Sequence, residues 1–337
     1  MAREPIRFLL PEPLDQLPTD IDGYWDWQIS AKNVSPWWGR YHWVLQTYLR
    51  LKAAGYPCEL CRDVPAEGVV VTHRDCLSAS VRPTPNRFIV ALLVDRLLPH
   101  PYAQLHIVHR QGQSLGPAWS AEYLPPRPQV SLLPRALNRG DRFETVGFFG
   151  YEQNLAAPFV TPEFRRELHA RGLHFVLRSP AEWNDFRDVD AVLAIRSVGR
   201  VDVQTKSAIK LINAWHAGVP AVLGRERGFH SVRQSDLDYL EATTPQEALS
   251  QLGRLAEDRD LRQEMVANGY RRAGAFSAEA TTTRWIELLD TVVRPMREQW
   301  RMDGAARLRF QVRREMARAA TGLVRRAAMY GGWITGV

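Results

Sequence analysis

Lys206 and Lys210 lie four residues apart in a chain that carries four lysines against forty arginines. Where composition favours a guanidinium so strongly, a pair of ammonium groups marks a place that wants compact point charges. Residues 206–226 predict a loop, a helix with both cations in its first turns, a stop at Gly218-Val219-Pro220 and a buried strand from Ala221 to Leu223. A helix start supplies free N–H donors and a positive dipole end, and lysines at i and i+4 add charge on one face. Together these suit the oxygens of a nucleoside diphosphate. Asn213, three residues on, shares that face and offers a donor and an acceptor to ribose or sugar hydroxyls. Without a ligand, the same pattern is an ordinary helix with two solvated lysines.

Further candidates flank this helix. Residues 145–155 read as a short apolar strand ending at Gly150 and a polar turn, where a glycine lets backbone approach a phosphate. Arg196 follows the apolar run Ala191 to Ile195 and would offset charge growing on a leaving diphosphate; its alternative is an ion pair with Asp188, Asp190 or Asp202. His73, after the strand Gly68 to Thr72, and Asp95, after Phe88 to Val94, stand where a doubly wound sheet presents groups able to take a proton from a hydroxyl. Cys58, Cys61, His73 and Cys76 are metal-ligand types, but odd spacing on a strand points Cys58 and Cys61 to opposite faces. No metal site and no cofactor is expected.

These residues need a scaffold of alternating strands and helices. Strands are predicted at Arg7 to Leu10, Pro57 to Leu60, Gly68 to Thr72, Phe88 to Val94 and Gln104 to His109, then at Thr145 to Phe149, His174 to Leu177, Ala191 to Ile195 and Ala221 to Leu223. Residues 22–27 read as a loop rich in Trp and Asp, residues 36–54 as a helix closed by Gly55, and the proline-rich residues 112–133 as the interdomain stretch. The fold class is α/β, with two Rossmann-like domains facing across a cleft. Domain boundaries are expected at 1–130, 131–290 and 291–337, the last a basic helical tail.

Charge is concentrated in that tail. Residues 291–337 hold ten arginines and three acids, a net +7 that equals the total of the whole chain, so the body is neutral. On a helical wheel Leu308, Val312, Met316, Ala319, Leu323 and Tyr330 share one side, and Arg307, Arg314, Arg318 and Arg325 another. Residues 300–330 then either lie in the headgroup region of an anionic membrane or dock on the body. No nucleic acid partner is expected, because the body has no basic field. No run approaches 18 apolar residues, and the N-terminal apolar stretch is too short for a signal peptide, so a cytoplasmic protein is expected, peripheral at the inner membrane face if the tail binds lipid.

Residues 206–226 resemble the C-terminal-domain signature of the GT-B glycosyltransferases (the family 4 and family 1 group), in which Lys-Pro-x-x-Lys-Leu precedes Ala-Gly-x-Pro, a hydrophobic strand and a glutamate. Lys206, Lys210, Leu211, Ala214, Ala217, Gly218, Pro220 and Glu226 match; Ser207 replaces a proline, and Asn213 stands where many members grip the ribose with a glutamate. Residues 128–135, with Arg139-Gly140, are similar to a Pro-Gln-Pro-Gly-Leu-Ile-Pro-Arg linker of bacterial glycosyltransferase-like proteins, departing at Val130 and Ser131. The resemblance implies a hexosyltransferase-type enzyme that moves a sugar from a nucleotide-diphosphate sugar to a hydroxyl of a glycan or lipid-linked acceptor. It implies donor binding by Gly150, Arg196, Lys206, Lys210, Asn213 and Glu226, and acceptor contact at Trp37, Trp38, Gly39 and Arg40, where flat indoles suit the C–H faces of sugars. Two alternatives remain: a nucleotide-sugar epimerase of the same fold, and a catalytically silent sugar-binding or scaffold protein.

Overall fold

The computed structural model describes residues 3–30, 38–96, 98–197 and 206–330, with side chains throughout except at 38, 318 and 320–330. Apolar runs such as GVVVTH and RFIVAL show no polar alternation, and such strands must be covered on both faces. They lie in two all-parallel sheets. The first contains β1 (Ile6–Leu9), β2 (Cys58–Cys61), β3 (Gly68–His73), β4 (Arg87–Leu92), β5 (Leu105–Val108) and β6 (Ala121–Tyr123), in the order β2-β1-β3-β4-β5-β6. The second contains β7 (Thr145–Phe149), β8 (His174–Arg178), β9 (Ala191–Ala194), β10 (Ala221–Leu223) and β11 (Leu240–Glu241), in the order β11-β10-β9-β7-β8. In each sheet the winding reverses beside the first strand, between β1 and β3 and between β7 and β9.

The two sheets are covered differently. Helices Pro162–His169, Ile209–Ala217, Pro245–Glu257 and Arg259–Ala273 enclose the second sheet with residues of its own segment. Among the described residues, the connections from β3 to β4 and from β4 to β5 hold no α-helix. The face they leave is filled from the far end of the chain. Trp285, Leu288, Leu289, Val293 and Trp300 sit in one core with Phe88, Val90, Leu92 and Leu105, and Trp300 Nε1 donates to the Thr84 carbonyl at 2.8 Å. The helical run Ala278–Met302, with the expected 290/291 boundary inside it, therefore belongs to the first core, because its apolar face has no other sheet to cover.

Three local differences from the sequence reading have physical causes. Residues 22–27, expected as a loop, lie mostly in the helix Tyr24–Ile29, which Asp20 opens by accepting the Gly23 N–H at 2.9 Å and which buries Tyr24, Trp25 and Gln28. Within the expected linker, β6 adds to the edge of the first sheet in register with β5. The donor-side helix begins at Ile209, so Lys206 precedes it rather than lying in its first turn. That helix ends on Gly218 in the left-handed region at φ 68°, a conformation an L side chain adopts at a cost.

The linker docks through one buried carboxylate. Asp190, just ahead of β9, accepts from Arg135 Nε at 2.9 Å, from Arg139 Nε at 2.8 Å and Nη2 at 2.6 Å, and from the Glu144 and Thr145 amides at 2.9 Å. This accounts for the spacing of Arg135 and Arg139-Gly140. Burial by itself raises the Asp190 carboxyl, but these donors outweigh burial and hold it below the usual carboxylate range. A depressed carboxylate stabilises the fold above its unfolded value and loses that contribution as pH falls through its folded value. Asp190→Ala should cost about 3–5 kcal/mol, since it strands two guanidiniums. Urea unfolding at pH 7 checks this, and the gap to wild type should narrow as pH falls below about 4.

Candidate functional site

A cavity of about 370 Å³ opens where the carboxyl ends of the two sheets face each other, at both points of reversed winding. The first domain contributes Gln28, Gly39, His42, Trp43 and the turn 94–96 after β4; the linker contributes Gln129. The second contributes the end of β7, Arg196 after β9, and the start of the helix Ile209–Ala217.

That helix start turns donors and cations toward the cavity. Its N-cap, Ala208, has no side-chain hydrogen bond to give, so the first N–H groups are uncapped where Ser207, Ile209 and Lys210 line the cavity. Lys210 is half-buried: its ammonium donates to the Phe149 carbonyl and lies 4.6 Å from the Phe148 ring centroid. A Cβ at Gly150 would come within 3.0 Å of Lys210 Nζ and of the Phe148 ring, a contact that either side chain would have to shift to admit. Burial, then the nearby Arg196 and Lys206, lowers the Lys210 pKa well below that of a free lysine. Lys206 is held in the loop by close packing on the short helix Arg227–His230, where a Cβ at Gly228 would collide with its carbonyl.

Arg196 reaches the cavity wall and pairs with Glu226 beneath it. Burial raises the Glu226 carboxyl, opposed by Arg196. Glu226 is itself 1% exposed and does not line the cavity, so it fixes Arg196 rather than facing a ligand. Asn213 lines the cavity, yet its Oδ1 accepts the Gln129 N–H at 2.8 Å and ties the linker to the donor-side helix. The acceptor expected for ribose hydroxyls is therefore occupied.

On the opposite wall the two candidate bases part company. Asp95 lines the cavity with φ 53°, unusual for a residue with a Cβ, and its Oδ2 lies 3.3 Å from Lys206 Nζ across the cleft. His73 is buried behind that wall: Nε2 donates to the Val94 carbonyl at 3.3 Å and Nδ1 accepts from the Asp75 N–H at 3.2 Å. Burial lowers its pKa, with Asp75 opposing. Both ring nitrogens are spent on the backbone, so His73 does not present itself to the cleft. Arg40 likewise pairs with Glu12 and Tyr41 and does not line the cavity, whereas Gly39 does. Trp37 lies outside the described residues, as does the side chain of Trp38.

The structure adds residues that sequence reasoning missed. His42 lines the cavity with Gln46 Nε2 2.9 Å from Nδ1, and Nε2 has no hydrogen-bond partner among the described residues. Burial, then Arg127 and Arg50, takes its pKa to about 3, so it is neutral at physiological pH. Aromatic surface is supplied by the second domain: Phe149 stacks on Phe186 at 3.8 Å and 15°, and Tyr151 meets Trp183 edge-on at 5.2 Å. The one signal in the sequence was the position of Tyr151 directly after Gly150; Trp183 and Phe186 come from the loop before β9.

No protein-family model and no curated protein matches the sequence. Solved structures do match in fold. Sucrose-phosphate synthase from Thermosynechococcus elongatus superposes with a TM-score of 0.51 at 11% identity, over 87% of this chain and 100% of that one. HepE from Anabaena, in a complex with UDP and glucose, gives a TM-score of 0.49 at 13% identity, over 72% of this chain and 88% of that one. With two parallel, doubly wound sheets opposed across a cleft and a full-length likeness to the synthase, the chain has the GT-B fold.

Proposed function

We propose that this protein transfers a sugar from a nucleoside-diphosphate sugar to a hydroxyl of a glycan or lipid-linked acceptor. One observation carries the reading: Lys206, Lys210 and Arg196 converge with an uncapped helix start at the reversal point of the second sheet. When the bond from the sugar C1 to the diphosphate breaks, negative charge grows on the leaving oxygens. Fixed cations and N–H donors stabilise that charge more than they stabilise the intact donor. Gly150 gives the diphosphate backbone room, and Tyr151 with Trp183, backed by the buried Phe149/Phe186 stack, gives a nucleobase aromatic surface to pack on.

The acceptor enters along the first-domain wall of Gly39, His42, Trp43 and Asp95. Asp95 pairs with Lys206 across the cleft, and a diphosphate competes for the same ammonium. Displacement frees the carboxylate beside the acceptor to take the hydroxyl proton while the oxygen attacks C1. Neutral His42 exchanges a hydrogen bond with the acceptor and stays uncharged. A silent sugar-binding protein is the second reading, favoured by the engaged Oδ1 of Asn213; product analysis with and without acceptor separates transfer, epimerisation and binding alone.

Lys210→Met keeps the length of the side chain and removes its charge. Calorimetry against UDP, GDP, ADP and dTDP should show at least a tenfold loss for whichever nucleotide binds, about 1.4 kcal/mol or more, with an equal or higher melting temperature because a buried charge is gone. A diphosphate also restores the proton that burial disfavours on Lys210. Binding of an anion beside Lys210 should therefore raise its pKa back toward that of a free lysine, read as a dependence of binding enthalpy on the buffer's ionisation enthalpy at alkaline pH that Lys210→Met abolishes. Unchanged affinity in the variant removes this lysine from the mechanism.

Asp95→Asn releases Lys206 without removing the side chain. Nucleoside diphosphate binding should tighten several-fold while the transfer rate falls by about 10²-fold or more, the range for losing a general base. Weaker binding together with undiminished transfer would contradict both roles of Asp95.

A further inference from the structure

Surface helices ordinarily turn an apolar stripe to the body and polar residues to water. Over residues 304–319, the helix Gly304–Tyr330 does the reverse. Its inner face is anchored by arginines. Arg314, 1% exposed, donates to the Ala118 and Ala103 carbonyls, the latter at 2.9 Å, with its guanidinium carbon 3.8 Å from the Trp119 ring centroid and 4.6 Å from that of Phe310. Arg307 Nη1 donates to the carbonyls of Trp300 and Arg301 at 2.7 and 2.8 Å. These two arginines, grouped by sequence with a headgroup-binding face, are thus body contacts.

The outer face is apolar. Leu308, Val312 and Met316, at i, i+4 and i+8, are 62%, 50% and 68% exposed, with Ala305 and Ala319 exposed on the same side. A contiguous stripe of this kind on a soluble surface marks a place that something covers. Arg309 and Arg313 line one edge of it, both exposed. Glu315, the one acid within 304–319, is spent on Tyr102 at 2.7 Å and Arg82 at 3.7 Å. Arg309 reaches Asp303 at 3.4 Å through a pair that is exposed on both sides, so the edge keeps a positive balance that a second copy on this face would meet as a like-charge cost. An anionic surface with an apolar interior complements both the stripe and its edge.

We propose that residues 304–319 dock on an anionic lipid bilayer, with Leu308, Val312 and Met316 at the acyl boundary and Arg309 and Arg313 among the headgroup phosphates. The helix lies in the plane of the interface; none of the described helices is long and apolar enough to cross a membrane. Docking rests on no assumption about the chemistry in the cleft, so it stands or falls separately from the transferase reading.

Flotation of the full chain with vesicles of phosphatidylcholine, with and without roughly 30% phosphatidylglycerol, tests it. The protein should float with the anionic vesicles and stay down with the neutral ones, and binding should fall more than tenfold between about 50 and 500 mM salt. Leu308→Glu with Met316→Glu should abolish flotation at an unchanged melting temperature, since both side chains are exposed. Arg309→Gln with Arg313→Gln should weaken it by more than tenfold, as roughly 1 kcal/mol per arginine requires. Equal flotation on neutral vesicles, full flotation of the glutamate variant, no flotation of the wild type, or a sedimenting dimer that the glutamates dissociate would each overturn the assignment.

Discussion

A cation with nowhere to go but the cleft is the constraint on which this structure turns. Lys210 packs half-buried against the Phe148 ring and the Phe149 carbonyl, in surroundings that disfavour its charge. Nearby geometry follows from that. Gly150 leaves room beside its ammonium, Glu226 pairs with Arg196 from beneath, and the helix start at Ile209 is left without a capping side chain. On the proposed reading, a nucleoside diphosphate at the helix start meets all of these groups together, which would couple binding to stability through the same few atoms.

Asp95 relieves part of the same strain from across the cleft. Its ion pair with Lys206 joins the two domains through side chains that line the cavity, and its left-handed backbone is held by the turn between β4 and β5. The contact is half-exposed and worth little by itself. Its interest lies in position: in the proposed mechanism a phosphate oxygen competes with this carboxylate for the ammonium, and the exchange would link donor arrival to the freedom of Asp95.

The abundance of arginine is used structurally as well as electrostatically. Arg135 and Arg139 lock the linker to Asp190, Arg314 and Arg307 clamp the C-terminal helix, and Arg294 and Arg297 tie the preceding helix to Glu4. A planar guanidinium can reach several carbonyls from one side chain, which a lysine cannot do as well. That leaves the few lysines for sites where a single point charge suffices.

The order of strands and helices was legible in the residues, because parallel strands buried on both faces are unbroken apolar runs: the ranges Thr145–Phe149 and Ala221–Leu223 coincide with those of β7 and β10. The helix stop at Gly218 was legible too, since glycine and proline act locally; that Gly150 lies beside Lys210 was not. Long-range pairing was not. That Asn213 is engaged by Gln129, that His73 spends its ring on the Val94 carbonyl, that Glu226 sits under Arg196, and that His42 and the Phe149/Phe186 stack reach the cleft are decided by which elements meet. Spacing along a chain fixes which face of an element a side chain occupies; only the packing of two domains decides what that face meets.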